Sequence, residues 1–247
     1  MTPITLNRNN ILNWMLFGLI EMWRVIRAIL TRDGGRVASV TRYVEKNATS
    51  GNPSSVLEAI DTFSYKRRFL MNVGDEKGAI LVNALKDAEA TRVLELGAYC
   101  GYSAVLMARE ISAKGGQLIS LEASAKNAEM AGRVVAHAGL SSNVEFRVGK
   151  ASEQIEKLTG TFDLVFIDHW KDDYLSDLKR LEDRGLLSPG ARIVADNVGI
   201  FSNAVQPYLE YVRESDHMES THYVTKMEYN ETIADGVEVS IWQPRTK

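Results

Sequence analysis

From Arg92 to Ala195 the chain alternates short apolar, strand-forming runs with stretches of helical period long enough to cross over a sheet. Strands are predicted at Arg92–Leu96, Gln117–Leu121, Val144–Val148, Leu164–Ile167 and Arg192–Ala195. Parallel neighbours need such crossovers, whereas a two-residue turn joins only antiparallel ones. The pattern therefore predicts an α/β fold with a mostly parallel, doubly wound sheet and helices on both faces. Two further strands, Thr221–Thr225 and Val237–Trp242, are joined by a loop without a convincing helix. They predict an antiparallel hairpin at one edge, for seven strands in all. Upstream, Arg36–Ala48, Ser54–Phe69 and Glu76–Asp87 read as helices, with Met71–Asp75 as a loop. Asn52 or Ser54 is positioned to cap the second of them, with Pro53 in its first turn.

Bulk properties narrow the class of function. A net charge of −3 over 247 residues leaves no basic footprint for nucleic acid, so a small-molecule partner is expected. The single cysteine, Cys100, excludes an internal disulfide and fits a reducing, cytoplasmic compartment. Four scattered histidines give no zinc spacing. The most apolar stretch is Ile11 to Leu30, where Asn13, Glu21, Arg24 and Arg27 fall in one sector of a helical wheel. They leave a broad apolar face that carries Trp14, Leu16, Met22 and Trp23. A spanning helix would bury Glu21 and Arg24 in lipid at about 2.5–3.5 kcal/mol each. No basic start or small-residue cleavage site marks a signal peptide. Packing on its own domain or on a second copy, lying in a membrane interface, and spanning the membrane stay open for residues 11–30. Arg32-Asp33-Gly34-Gly35 reads as a hinge, so residues 1–35 form one unit and 36–247 a catalytic domain.

The first strand leads into Glu95-Leu96-Gly97-Ala98-Tyr99-Cys100-Gly101 and then a helix. Gly97 and Gly101 permit a tight turn in which backbone approaches a ligand closely. Their spacing is not the one that cradles a pyrophosphate. Glu95, at the strand end, would repel a phosphate but suits the cationic amino-acid portion of S-adenosylmethionine. Glu122 ends the second strand, where a carboxylate can accept hydrogen bonds from ribose hydroxyls. Cys100 reads as a small packing residue, since no base accompanies it.

Asp168 follows the fourth strand, and Asp196 and Asn197 follow the fifth. Ligands bind at that edge of an open α/β sheet. Two carboxylates and an amide suit a hard divalent cation such as Mg²⁺. Lys171, three residues past Asp168, is placed as a base. Each acid alone could equally be a helix cap or an Asx turn. Their joint appearance after a methyl-donor loop points to chemistry.

These motifs closely resemble the catechol O-methyltransferase family: Glu95 to Ser103, Asp168-His169-Trp170-Lys171-Asp172 and Ala195-Asp196-Asn197-Val198. Ser55 to Thr62, Met71 to Asp75 and Thr221-His222-Tyr223 extend the likeness, which runs from about Val37 to the C-terminus. The resemblance implies a Rossmann-like class I methyltransferase that takes S-adenosylmethionine and Mg²⁺ and methylates one hydroxyl of a catechol. It assigns the metal to Asp168, Asp196 and Asn197. It makes Lys171 the general base and has Glu228 hold the second hydroxyl. Met71, Val73, Glu95, Gly97, Tyr99, Ser103, Glu122, Ser152, Asp168 and His169 would serve the cofactor site. Trp170, with Lys171, Asn197 and Glu228, would bound the catechol slot. The chain departs from the family at Phe69, Phe201 and Met227, which alter the slot walls and leave the reaction class in place. Two other readings exist: a membrane-associated binding or scaffold protein on the same fold, and a dinucleotide oxidoreductase, which Glu95 and the glycine spacing disfavour.

Overall fold

A computed structural model describes residues 8–30 and 35–244, with side chains of 12–24 and 26 in the first helix. Residues 32–34 of the predicted hinge and the Arg27 side chain lie outside the described residues. The strands are β1 (Arg92–Leu96), β2 (Gln117–Glu122), β3 (Val144–Val148), β4 (Phe162–Ile167), β5 (Leu187–Ala195), β6 (Met218–Lys226) and β7 (Ala234–Trp242). They form one sheet in the order β3-β2-β1-β4-β5-β7-β6. The first five pair in parallel, and β7 pairs antiparallel with both β5 and β6. Both the mostly parallel sheet and the edge hairpin therefore match the pattern in the sequence.

Alternate residues of each strand feed two cores. Val93, Leu118, Leu164, Phe166 and Val194 join one. It is shared with α2 (Arg36–Asn47), α3 (Pro53–Lys66), α4 (Gly74–Asp87), α5 (Tyr102–Ser112) and α6 (Ala125–His137). Leu94, Leu96, Ile119, Val165 and Ile193 join the other, against α7 (Ala151–Ile155), α8 (Tyr174–Asp183) and α9 (Ser202–Glu214). This period-two division is what a sheet covered on both faces requires.

Of the two predicted caps for α3, Asn52 is the one used. Its side chain accepts from the Ser55 amide at 3.1 Å, with Pro53 in the first turn. This helix ends at Lys66, short of Phe69, and α4 begins at Gly74, inside the predicted loop. The first helix, α1 (Arg8–Leu30), lies on the domain in an inverted sense. Glu21 is buried and Asn13, Phe17 and Arg24 half-buried, while Leu12, Trp14, Met15, Leu16, Leu19, Ile20, Met22, Trp23 and Ile26 are exposed. Its polar stripe faces protein and its apolar face points away.

Candidate active site

Strand register brings the predicted site together. Leu96 is level with Leu121 and Ile167, and Ile167 with Ala195, so four strands end along one line. Just beyond that line sit Glu122, Asp168, Asp196 and Asn197, with Glu95 one residue inside it. Gly97 lets the β1–α5 loop close onto the end of β4. Its φ is +102°, and a Cβ there would lie 2.5 Å from the Asp168 carbonyl oxygen. Only glycine fits both conditions. The loop is also tied from the side: Glu122 accepts from the amides of Ala98 at 3.2 Å and Tyr99 at 2.9 Å. A carboxylate predicted to receive ribose thus also shapes the turn, and its oxygens keep further acceptor capacity.

Glu95 is fully buried and accepts from the Ser120 hydroxyl, with the Ser103 hydroxyl, in the first turn of α5, also acting on it. Burial pushes its carboxyl up to about 7, against the lowering effect of the two hydroxyls. One of its oxygens, Oε1, has no partner. His169 stacks on the fully buried Tyr174 and pairs through Nε2 with Asp177 at 2.9 Å, and its buried Nδ1 is likewise unpartnered. The rest of the predicted cofactor set differs in exposure. Val73 is buried, Met71 is half-exposed and Tyr99 half-buried, and Ser152 lies in the first turn of α7. Cys100 is fully buried, and its thiol is pushed up to about 11 by that burial, which makes it the packing residue expected.

The residues predicted to hold the metal and to act as base form one network. Lys171 Nζ donates to Asp168 Oδ1 at 2.9 Å, Asn197 Oδ1 at 3.0 Å and the Tyr174 hydroxyl at 2.6 Å. Asn197 has φ of +57°, a left-handed conformation that asparagine tolerates better than most residues. Its Nδ2 donates to Glu228 Oε1 at 2.7 Å and to Asp235 Oδ2 at 3.0 Å. Asp196 Oδ1 accepts from the Asn197 amide at 2.7 Å. Two atoms remain orphaned inside this network, Asp196 Oδ2 and Glu228 Oε2.

A residue missed by the sequence reading completes the site. Lys77, on α4 and 1% exposed, places its ammonium against Asp196 at 2.7 Å, Asp235 at 3.0 Å and Glu228. Burial disfavours its charge, but the three carboxylates outweigh that and hold its pKa well above the ordinary value. The carboxyls of Asp196 and Glu228 are pushed up by burial, with Lys77 opposing. Asp196, Glu228 and Asp235 are close enough to share a cation, and the Lys77 ammonium lies among them. Within the predicted metal set, the oxygens that do not touch Lys77 are Asp196 Oδ2, which is unpartnered, and Asp168 Oδ1 and Asn197 Oδ1, which accept from Lys171. The Lys171 ammonium already grips two of those residues. If all four are ionised, Asp168, Asp196, Glu228 and Asp235 set four negative charges against the two ammoniums that pair with them among the described residues, Lys77 and Lys171. A hard divalent ion fits both the donor set and the charge. Around the mouth, Trp170 is 72% exposed and Phe201 36%, while Phe69 and Met227 are buried.

The fold and this edge define a class I methyltransferase, and comparison with known proteins agrees. An O-methyltransferase family model matches residues 47–243. Mouse catechol O-methyltransferase is 40% identical over 219 residues, covering 87% of this chain and 81% of the relative. Zebrafish catechol O-methyltransferase B is 42% identical over 84% of this chain and 79% of its own length. A Bacillus cereus O-methyltransferase solved with S-adenosylhomocysteine superposes with a TM-score of 0.65 at 25% identity, covering 77% of this chain and 90% of that one. Streptomyces achromogenes TomG, solved with S-adenosylmethionine, shares the fold with a TM-score of 0.66 at 24% identity, over 78% and 89% of the two chains. The protein is thus an S-adenosylmethionine-dependent O-methyltransferase. More narrowly, the chain belongs to the catechol O-methyltransferase family.

Proposed function

We propose that this protein moves the methyl group of S-adenosylmethionine to one hydroxyl of a catechol in a Mg²⁺-dependent reaction with Lys171 as base. The observation that carries the reading is the buried Asp196 Oδ2, which has no partner although Lys77 pairs with the other oxygen of the same carboxylate. Asp168, Asp196 and Asn197 would hold the ion. When bound, Mg²⁺ supplies Lewis-acid stabilisation of the acceptor's anionic oxygen and a template for its two hydroxyls. Lys171, as the neutral amine once its ammonium has given up a proton, takes the proton from the attacking hydroxyl, and Glu228 accepts a hydrogen bond from the second. Trp170, Phe201, Phe69 and Met227 flank the ring. On the donor side Glu95 faces the ammonium and Glu122 the ribose, with Met71, Val73, Tyr99, Ser103, Ser152 and His169 around them. Gly97 keeps the backbone clear for that approach. Holding two reactants in line is the main contribution, a class of effect worth up to about 7–11 kcal/mol.

Transfer of labelled methyl to a simple catechol tests the reading. It should need Mg²⁺, fall by at least about a hundredfold in Asp168→Ala, and fall similarly in Lys171→Met. Robust turnover in excess chelator overturns it. Normal adenosylhomocysteine binding without methylation of any catechol would instead favour the binding-protein reading.

For residues 11–30 the proposal is contact with an anionic membrane surface. Among the described residues no helix is long and apolar enough to cross a membrane. On a helical wheel the exposed apolar residues of α1 sweep about 240°. That is wider than the seam of one helix against a second copy. Five arginines face two acids between Arg8 and Arg36, in a chain whose net charge is −3. A helix half-immersed in lipid with basic flanks has this form. Co-sedimentation with anionic vesicles should be strong and reduced by Trp23→Lys. A dimer in light scattering that Trp23→Lys dissociates, without vesicle binding, would assign the face to self-association instead.

A further inference from the structure

We infer that Phe17 of α1 is a wall of the acceptor slot and selects catechols whose ring substituent is apolar. This rests on the catechol reading above and adds a residue that lies 30 positions ahead of the matched O-methyltransferase region. The Phe17 ring meets Phe69 edge-on, with centroids 5.1 Å apart at 88°. Phe69, Met227 and Ile233 form a small buried apolar cluster of their own, and Phe17, Ile200 and Tyr229 pack onto it. Met227 immediately precedes Glu228, whose Oε1 is fixed by Asn197 at 2.7 Å. The cluster reached by Phe17 is therefore the apolar flank of the residue that holds the second hydroxyl.

Contacts on either side set the position of Phe17. Arg24 donates to the Tyr65 carbonyl at 3.0 Å, at the end of α3. It also pairs with Glu21 at 2.7 Å, and Arg36 lies 3.7 Å from the same glutamate. These bonds join α1 to the segment that leads into Phe69. Glu21, one helical turn from Phe17, is thereby paired with both arginines. With its two hydroxyls held by Lys171 and Glu228, a catechol projects its substituents away from the acids. On the side of Phe69 and Met227 they meet the apolar cluster that Ile233, Ile200, the Tyr229 ring and Phe17 complete. An ammonium or carboxylate on the ring would lose hydration there without gaining a partner. An alkyl or aryl group would gain contact area.

Steady-state kinetics of the full chain test this, using unsubstituted catechol, an alkyl catechol, a catechol amine and a catechol carboxylate. The unaltered protein should show its lowest KM with the alkyl catechol. Phe17→Ala should raise that KM about tenfold relative to unsubstituted catechol, and Phe17→Leu should restore most of the difference. A purely structural role would instead lower the melting temperature and reduce kcat for every acceptor alike. The inference is overturned if the KM ratio of alkyl to unsubstituted catechol is the same in Phe17→Ala, or if only a uniform loss appears. If the unaltered protein methylates no acceptor in the panel, the catechol reading itself fails, an outcome distinct from an unchanged ratio.

Discussion

Glu95 shows how one buried carboxyl ties cofactor choice to pH. Its pKa is pushed up from 4.5 to about 7 chiefly by burial, so in the free protein it carries a proton through mildly acidic conditions. The folded value exceeds the unfolded one. The folded chain therefore holds a proton that the unfolded chain has released, and the stability tied to Glu95 falls as pH rises from 4.5 to about 7. A bound ammonium reverses that preference, because it pairs with the ionised form. Adenosylhomocysteine should thus bind more tightly as pH rises through about 7, with proton release near pH 6. Calorimetry in buffers of different ionisation enthalpy reads that release directly. In Glu95→Gln the release should vanish and affinity drop about ten- to a hundredfold. A pH-independent affinity in the unaltered protein would remove Glu95 from the ammonium site.

At the scale of elements, α4 carries a consequence that its sequence conceals. Asp75-Glu76-Lys77 looks like a solvated charged start to a helix, yet Lys77 is among the largest fully buried side chains. The legible signal is periodicity: Lys77 falls on the same stripe as Leu81, Ala84 and Leu85. Its partners could not be read, because Asp196, Glu228 and Asp235 follow more than a hundred residues later, after β5, after β6 and in β7. Replacing Lys77 by Met leaves those carboxylates facing one another without it. Urea unfolding should register a loss of about 3–5 kcal/mol. Unchanged stability would mean that water or another cation takes the place of Lys77. Strand positions were legible for the opposite reason. A strand covered on both faces reads as a continuous apolar run, and residues such as Asp168 and Asp196 announce its end. The inverted packing of α1 belongs to a third kind, since a wheel shows which residues share a sector but not which sector meets protein.

For the molecule as a whole, the sheet gathers more negative charge at one edge than its own lysines offset. Asp168 and Asp196 come from parallel neighbours, Glu228 from the turn after β6, and Asp235 from the reversed strand β7. The hairpin is therefore not a decoration at the edge. By reversing β7 it brings the start of that strand to the same end as the parallel strands' carboxyl termini, which adds Glu228 and Asp235 to the acids there. Such a concentration of charge is costly to fold and is offset when a divalent ion binds the native state alone. Binding at about a hundred times Kd contributes ~2.7 kcal/mol. For a chain of this length that corresponds to a rise of roughly 5–10 °C in melting temperature. Scanning calorimetry should show such a rise with Mg²⁺, its loss on adding chelator, and none in Asp196→Asn. Asp196→Asn without Mg²⁺ should melt no lower than the metal-free unaltered protein, because it removes one unbalanced charge as well as a ligand. A Mg²⁺-induced rise that survives Asp196→Asn would place the ion elsewhere and leave the orphaned Asp196 Oδ2 without a role.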